Sequence, residues 1–237
     1  MSGRGKFIAI EGGDGSGKAT QTKLLVERLQ RAGREVYPLS FPRYGEHSAK
    51  ILEKYLRGEF GNANDLPAEL ASLAFTIDRV AAKPALEAWL DNHPDGVVIA
   101  DRYVLSNIAH QAARIADKQE RLQFYEDLSK LEYDDLGLPR PDKNILLLVP
   151  AEVAQANIDK KATRSYTTKK RDIHESSVDH LTFASRNYTE LAELLPELIT
   201  PVKVFDDDSQ EMRSISDIHD EIYQIVEAVL SIDNQPR

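Results

Sequence analysis

A glycine-rich string near the N-terminus carries the clearest chemical signal in the sequence. The spacing Gly12-x4-Gly17-Lys18 follows a short apolar run and precedes a helical pattern. Glycines let backbone N–H groups surround an anion at the positive end of a helix, so this spacing predicts a phosphate-binding loop in which Lys18 contacts the β- and γ-phosphates. The expected nucleotide-binding residues are Gly12, Gly13, Asp14, Gly15, Ser16, Gly17, Lys18, Ala19 and Thr20.

One position departs from the usual pattern of such loops. A hydroxyl residue, often a Mg²⁺ ligand, is expected directly after the lysine, but Ala19 stands there and Thr20 follows it. A glycine-rich turn that binds nothing is the alternative, and the order strand, loop, helix and lysine argues against it. The loop indicates a nucleotide but not a reaction.

Two arginines are candidates for binding a second ligand. Arg102 follows the third apolar run, at the carboxyl edge of the predicted sheet, where a guanidinium can bind a phosphate. Arg79 lies four residues after Phe75, so a helix would place a stacking ring and a planar donor on one face. The alternatives are a surface ion pair between Arg102 and Asp101, and a core phenylalanine beside an arginine whose stem covers apolar surface.

Composition excludes several other classes. The chain of 237 residues has no cysteine, which removes disulfides, thiolate nucleophiles and cysteine-ligated metals. No Asn-Lys pair is present, so the guanine-reading element of GTP-binding switch proteins is missing. The formal net charge of −9 argues against nucleic-acid binding. The start of the chain has no apolar run of signal-peptide length and no stretch is long enough to span a bilayer, so we expect a cytoplasmic protein without membrane contact.

A basic segment stands out against this acidic background. Six basic residues and no acid occur between positions 160 and 171. They are Lys160, Lys161, Arg164, Lys169, Lys170 and Arg171. A solvated loop is the simplest interpretation of such a run, although the contrast with the acidic chain needs an explanation.

Short apolar runs alternate with helical patterns along the chain. The runs are Phe7–Ile10, Val36–Phe41, Val97–Ala100, Ile145–Val149 and Val202–Phe205. Their consecutive apolar residues predict a parallel sheet with helices on both faces, a three-layer α/β fold that we assign to one domain over residues 1–237. Pro38 cannot donate a ladder hydrogen bond, which predicts an edge position for the second strand.

Four apolar stripes at helical spacing are expected to face the core. They comprise Leu24, Leu25 and Leu29; Ile51, Leu52, Tyr55 and Leu56; Leu70, Leu73, Ile77 and Val80; and Leu122, Tyr125, Leu128 and Leu131. The third of these helices is expected to end at Arg79.

Together, these features resemble the thymidylate kinases, a family of P-loop nucleoside monophosphate kinases, over nearly the whole chain. The matching stretches are the loop from Glu11 to Gln21, Phe41-Pro42-Arg43-Tyr44, Phe75-x-x-Asp78-Arg79, Asp101-Arg102-Tyr103 with Ser106-Asn107, Gly137-Leu138-Pro139-x-Pro141-Asp142, and Arg171-Asp172-x-x-Glu175. The resemblance implies a five-stranded parallel sheet of order 2-3-1-4-5, a LID at about 160–175 and a homodimer. It also implies transfer of the γ-phosphoryl group of ATP to dTMP with Mg²⁺.

The resemblance implies roles for individual residues as well. The expected dTMP-binding residues are Asp14 at the sugar, Tyr44 and Arg102 at the phosphate, Phe75 stacked on thymine, Arg79 and Asn107 at its polar edge, and His110 near the sugar, where family members often have tyrosine. The expected catalytic residues are Lys18, Arg43, Arg102, Arg164 and Arg171. Asp14, Asp101 and Glu175 are expected to hold Mg²⁺ through water.

Two alternatives stay open at the level of sequence. One is a kinase for another nucleoside monophosphate. The other is a nucleotide-binding regulator that has lost turnover, which only Ala19 favours and which the arginines oppose. Some family members carry an arginine directly after the loop aspartate, and this chain has Gly15 there, so the LID is expected to supply the missing charge.

Overall fold

The computed structural model describes residues 3–62, 65–164 and 178–231, without the side chains of residues 160–164, 178 and 179. Five strands form one parallel sheet of order β2-β3-β1-β4-β5. They are β1 (Lys6–Gly12), β2 (Val36–Ser40), β3 (Val97–Asp101), β4 (Lys143–Leu148) and β5 (Ile199–Lys203). The predicted strand order is confirmed. A short antiparallel hairpin of β6 (Phe205–Asp206) and β7 (Glu211–Met212) was not predicted.

Helices cover both faces of this sheet. They are α1 (Lys18–Arg31), α2 (Lys50–Leu56), α3 (Ala68–Asn92), α4 (Val104–Gln111), α5 (Lys118–Ser129), α6 (Ala151–Arg164), α7 (Val178–Leu194) and α8 (Ile215–Ser231). A π-helical turn, Lys130–Asp135, continues directly from α5. Among the described residues, none of these helices combines the length and apolar character that crossing a bilayer requires.

The consecutive apolar residues of the strands belong to two separate cores. In β1, Phe7 and Ala9 pack into the core beneath α3, α4 and α7, whereas Ile8 and Ile10 pack into the core beneath α1 and α8. Side chains alternate between the faces of a strand, so a strand buried on both faces must be apolar at every position. This explains why the strand runs could be identified from sequence.

Pro38 lies opposite Ile99 in the β2–β3 pairing, and β2 is at the edge of the sheet, as predicted. The missing N–H of Pro38 therefore costs no hydrogen bond to a second neighbouring strand. The Phe41–Pro42 peptide that follows β2 is cis.

Helix α3 differs from the prediction in two respects. It continues past Arg79 to Asn92 and includes Pro84. The stripe of Leu70, Leu73 and Ile77 was expected in the core but is exposed, at 57%, 42% and 47% of the respective residue surfaces. The reason is that α3 turns another face inward, where Ala71 and Ala74 pack against α2 and Arg79, with Phe75, lines the pocket described below. Ile51 of α2 is also exposed, and the remaining members of the other three stripes are buried or partly buried.

Candidate active site

The glycine-rich loop connects the carboxyl end of β1 to the first turn of α1. Gly17 caps this helix in the left-handed region (φ 90°) without any side-chain capping bond, so the backbone N–H groups of the first turn point toward the loop. Lys18 is 6% exposed, and its Nζ donates to the carbonyl oxygen of Gly13 at 2.7 Å. This is the geometry of an anion-binding helix N-terminus.

The charge of Lys18 is sensitive to its surroundings. Burial, followed by the positive charge of Arg102, lowers the pKa of Lys18 to about 8, and the carboxylates of Asp14, Asp101 and Glu11 act in the opposite direction. An anion bound in the loop would favour the ammonium form again. Lys18 is therefore partly neutral in the free protein just above physiological pH.

Position 15 accepts only glycine. Gly15 has φ +79°, and a Cβ there would lie 2.3 Å from the carbonyl oxygen of Ala154 in α6. Asn157 of the same helix donates from Nδ2 to the carbonyl oxygen of Gly15 at 3.0 Å. Helix α6 thus supports the loop from outside, and the close approach excludes any side chain at this point.

Arg102 stands directly after β3 with a backbone that non-glycine residues rarely adopt, at φ 68°. Such a conformation costs on the order of 1–3 kcal/mol and persists only where neighbouring bonds enforce it. The N–H of Arg102 donates to Ile10 O at 3.0 Å, and the N–H of Tyr103 donates to the carboxylate of Glu11 at 2.9 Å. Glu11 is fully buried, and burial raises its pKa. Sequence reasoning assigned Glu11 no role.

The guanidinium of Arg102 joins the loop to α4. Its Nη2 lies 2.5 Å from Asp14 Oδ1. Its Nη1 lies 3.2 Å from each of three acceptors, the carbonyl oxygen of Gly12, the hydroxyl of Ser106 and Nε2 of His110. The predicted position of Arg102 at the carboxyl edge of the sheet is confirmed by this geometry, and its carboxylate partner is Asp14 and not Asp101.

A pair of buried histidines lies behind this arginine. His110 Nδ1 is 3.3 Å from Nε2 of His180 in α7. A guanidinium only donates, so Nε2 of His110 must accept from Arg102 and its proton must be on Nδ1, facing His180. Burial, and then Arg102, lowers the pKa of His110 well below its ordinary value, and burial lowers that of His180 to about 4.

A second buried ion pair lies at the other end of the site. Arg79 donates to the carboxylate of Glu132 from Nε at 2.6 Å and from Nη2 at 2.5 Å. Asn107 Nδ2 donates to the same carboxylate at 3.0 Å and to Ser72 O at 3.1 Å. Asn107 Oδ1 is buried and has no partner among the described residues. Glu132 was not predicted, because nothing in its local sequence distinguishes it.

Several of the side chains described above line one pocket, which lies between the loop, α3 and α4. Its lining residues are Asp14, Phe41, Pro42, Tyr44, Leu56, Phe75, Arg79, Arg102, Tyr103, Ser106, Asn107 and His110. All seven residues expected to bind the acceptor nucleotide are among them. The pocket therefore has an aromatic wall, a cationic end beside the loop and a polar end at Asn107.

Arg43 lies near this pocket but does not line it. Its Nε is 3.0 Å from Asp78 Oδ1, and its Nη2 donates to the hydroxyl of Ser48 at 2.8 Å. Asp78 and Arg79 are consecutive residues of α3 with different partners. Asp78 accepts from Arg43, whereas Arg79 donates to Glu132.

The expected metal-binding residues are only partly described. Asp101 Oδ1 is buried without a hydrogen-bond partner among the described residues, and Asp14, the carboxylate within the loop, pairs with Arg102. Glu175 and Arg171 lie outside the described residues, as does the side chain of Arg164. Within the described ranges, no three His, Asp or Glu side chains form a group that could hold a metal by themselves.

Comparisons with known proteins agree with this geometry. A family model for thymidylate kinases matches residues 10–214. A thymidylate kinase from Mycobacterium tuberculosis is 37% identical over 187 residues, covering 78% of this chain and 85% of the relative. A probable thymidylate kinase from Pyrococcus horikoshii is 32% identical and covers 94% and 96%. The structure of thymidylate kinase from Candida albicans superposes with a TM-score of 0.68 at 23% identity, covering 96% of this chain and 93% of that one.

The pKa of Lys18 predicts a pH dependence. The ammonium form binds phosphates, so kcat/KM for ATP should fall as the pH rises through about 8, since this parameter reports ionisations of the free protein. Lys18→Arg should lack this alkaline limb, because arginine stays protonated, although its activity should be lower throughout. The measurement is a steady-state pH profile from 6.5 to about 9.5, and a wild-type profile that stays level to its upper end would contradict the prediction.

Proposed function

The chain belongs to the thymidylate kinase family, and on this basis we propose which of its residues bind and align the two substrates. The enzyme transfers the γ-phosphoryl group of ATP to dTMP, giving dTDP and ADP. One observation carries the residue assignment: all seven expected acceptor-binding side chains line one pocket beside the glycine-rich loop. A kinase for another nucleoside monophosphate and a regulator without turnover are not favoured.

The polar end of the pocket matches the edge of thymine. Asn107 offers a buried oxygen acceptor, and Arg79 offers only donors. Thymine presents an N3–H donor beside a carbonyl acceptor, so both pairs would be satisfied, and Phe75 would stack on the ring. Cytosine reverses both groups, which would leave buried polar atoms facing like atoms at about 1–3 kcal/mol each.

The cationic end would bind the acceptor phosphate. We place that phosphate at Arg102 and Tyr44, with Asp14 at the sugar and His110 beside it. The charged guanidinium of Arg102 can donate hydrogen bonds to a phosphate in addition to its bond with Asp14. The phosphate is already ionised near neutral pH, so no general base is required.

Transfer then depends on alignment and charge. Two polyanions must approach in line, and the charge spread over the moving phosphoryl group must be stabilised. Lys18 and Arg102 would act from the two sides of the loop. Arg43 would act from the end of β2, where Asp78 already orients its guanidinium.

Mg²⁺ would bind where the loop meets β3. Asp101 has a buried carboxylate oxygen without a described partner, which suits a hard cation that is held mainly by phosphates and water. Asp14 and Glu175 complete the proposed set, and Ala19 contributes no ligand. When bound, the ion would neutralise charge on the phosphates of ATP.

The LID is proposed to supply the remaining cation. The contact between Gly15 and Ala154 means that the loop itself has no room for a side chain at this point. Arg171 is the first candidate, because it adjoins Asp172 and Glu175 of the family motif, and Arg164 is the second. The basic segment begins in the last turns of α6, the helix that supports the loop.

A substrate panel tests the function. ADP formation should show the highest kcat/KM with dTMP, at least about tenfold lower values with dCMP, and low values with AMP and GMP. Lys18→Ala should lose about a hundredfold or more, since one lost donor in a preorganised site costs ~3 kcal/mol. Lys23→Ala, an exposed lysine of the same helix, should retain wild-type rates. Comparable kcat/KM for dTMP and dCMP would refute the assignment of the base pocket.

The proposed LID arginines predict a separation of kcat from binding. Arg171→Ala should lower kcat on the order of 10³-fold while the Kd for dTMP stays within about threefold, because the LID contacts the donor side. Arg164→Ala and the double variant are measured beside it by steady-state kinetics and calorimetry. Arg31→Ala, an exposed arginine at the end of α1, is the control. Near-normal kcat in the double variant would show that the basic segment is only a solvated loop.

We propose that the enzyme is a homodimer formed through α3 and works in the cytoplasm. The exposed stripe of Leu70, Leu73 and Ile77 is the reason for the first proposal, because a contiguous apolar face of this kind is typical of an interface. Sedimentation equilibrium should give about twice the chain mass of 26.6 kDa. Ile77→Glu should give monomers, and Ile215→Glu, at a more exposed isoleucine of α8, should leave the dimer intact. A monomeric wild-type protein at micromolar concentration would contradict the proposal.

A further inference from the structure

Glu132 is a fully buried carboxylate that reaches the site from an irregular element. It belongs to the π-helical turn that continues α5, in which the N–H of Leu136 donates to the carbonyl oxygen of Leu131, five residues earlier. Asp134 and Asp135 of the same turn are exposed, whereas Glu132 has no exposed surface. The wide turn therefore directs one of its acids inward, and π-helical turns often occur at functional sites.

Four hydrogen bonds converge on this carboxylate. Arg79 donates two of them, at 2.6 and 2.5 Å, and the hydroxyl of Thr76 donates at 2.9 Å, all from α3. Asn107 of α4 donates from Nδ2 at 3.0 Å. Burial is the largest effect on the pKa of Arg79 and lowers it, but the charge and hydrogen bonds of Glu132, together with two nearby tyrosines, raise that pKa overall. The ion pair and its hydrogen bonds fix both side chains.

The carboxylate determines which atoms face the pocket. An ionised carboxylate only accepts, so the amide of Asn107 must turn its nitrogen toward Glu132 and its oxygen away. The second amide proton is taken by Ser72 O at 3.1 Å, which fixes the same orientation. In Arg79, Nε and Nη2 both donate to Glu132. The remaining nitrogen, Nη1, makes no described contact with Glu132.

We infer that Glu132 is a positioning residue that determines base specificity. It leaves the pocket with one acceptor, the amide oxygen of Asn107, and one donor, the guanidinium of Arg79. This pair selects bases that carry N3–H beside a carbonyl. This inference rests on the proposed placement of the base at Asn107 and Arg79. Glu132 does not line the pocket and acts only through these two residues. The selected bases are thymine and uracil, and the excluded one is cytosine.

Replacing the carboxylate by an amide tests this directly. Gln at position 132 offers a donor as well as an acceptor, so the residue no longer excludes the orientation in which Asn107 presents its nitrogen to the pocket. That orientation gives up the bond to Ser72 O but matches N3 of cytosine. Glu132→Gln should lower kcat/KM for dTMP and dUMP by about tenfold or more, mainly through KM, while the KM for ATP stays within about twofold. The value for dCMP, measured as substrate or as competitor at millimolar concentration, should stay within about threefold or improve.

Glu190→Gln is the matched control. Glu190 of α7 accepts from Arg121 Nε and from the hydroxyl of Tyr125, both at 3.0 Å, and it lies outside the pocket. This variant should lower the thermal stability without changing the ratio of kcat/KM for dTMP to that for dCMP. A parallel loss for all three nucleotides in Glu132→Gln, or an unchanged ratio, would overturn the inference. If the wild-type enzyme shows no preference for dTMP over dCMP, the proposed base pocket fails first, which keeps the two failures distinct.

A measurement on the wild-type protein decides the matter if Glu132→Gln does not fold. Both protons of Asn107 Nδ2 have acceptors in Glu132 and Ser72. The side-chain NH₂ signals of Asn107, identified in NMR spectra by their loss in Asn107→Ala, should therefore be protected from hydrogen exchange with and without dTMP. Unprotected signals in both states would show that Glu132 does not fix the amide.

Discussion

The pairing of β1 with β3 is the constraint on which the site depends. Their register places Ile10 opposite Asp101, so the glycine-rich loop and Arg102 leave the sheet side by side. Glu11, the next residue of β1, is fully buried and accepts the N–H of Tyr103, which holds Arg102 in its left-handed conformation. A residue at position 11 without a side-chain acceptor would leave the N–H of Tyr103 unpaired beside that strained turn. Donor and acceptor phosphates can then lie on opposite sides of one junction.

Arg43, Arg79 and Arg102 each pair with a carboxylate. The pairs of Arg79 and Arg102 differ in their exposure to solvent. Arg79 and Glu132 are 2% and 0% exposed, so neither can leave the other without a large desolvation cost. Arg102 and Asp14 are 17% and 23% exposed, and water or a phosphate can reach both. A pair sealed from solvent fixes geometry, whereas a pair open to solvent can rearrange around an anionic ligand. The same kind of interaction would thus serve structure at the proposed base end and binding at the proposed phosphate end.

The sequence predicted what depends on local pattern. Strands buried on both faces have continuous apolar runs, and the loop has fixed spacing, so the parallel sheet and the position of Lys18 followed, whereas the strand order was implied by the family resemblance. The exposed stripe on α3 was wrongly placed in the core because periodicity shows which residues share a face but not what covers that face. Glu132 could not be found, since its inward position comes from a π-helical turn that no local residue pattern signals.

The histidine pair shows how neighbouring side chains fix the orientation of His110. His110 stands where the family resemblance implies tyrosine, and a single imidazole next to a cationic Arg102 needs an acceptor nitrogen toward the arginine. His180 supplies an acceptor for the opposite proton, and burial keeps both rings neutral near pH 7. The orientation of His110 is therefore set from α7, not from α4 alone. In the chain, α7 is the first described helix after the proposed LID, so the residue that orients His110 follows that segment closely in sequence.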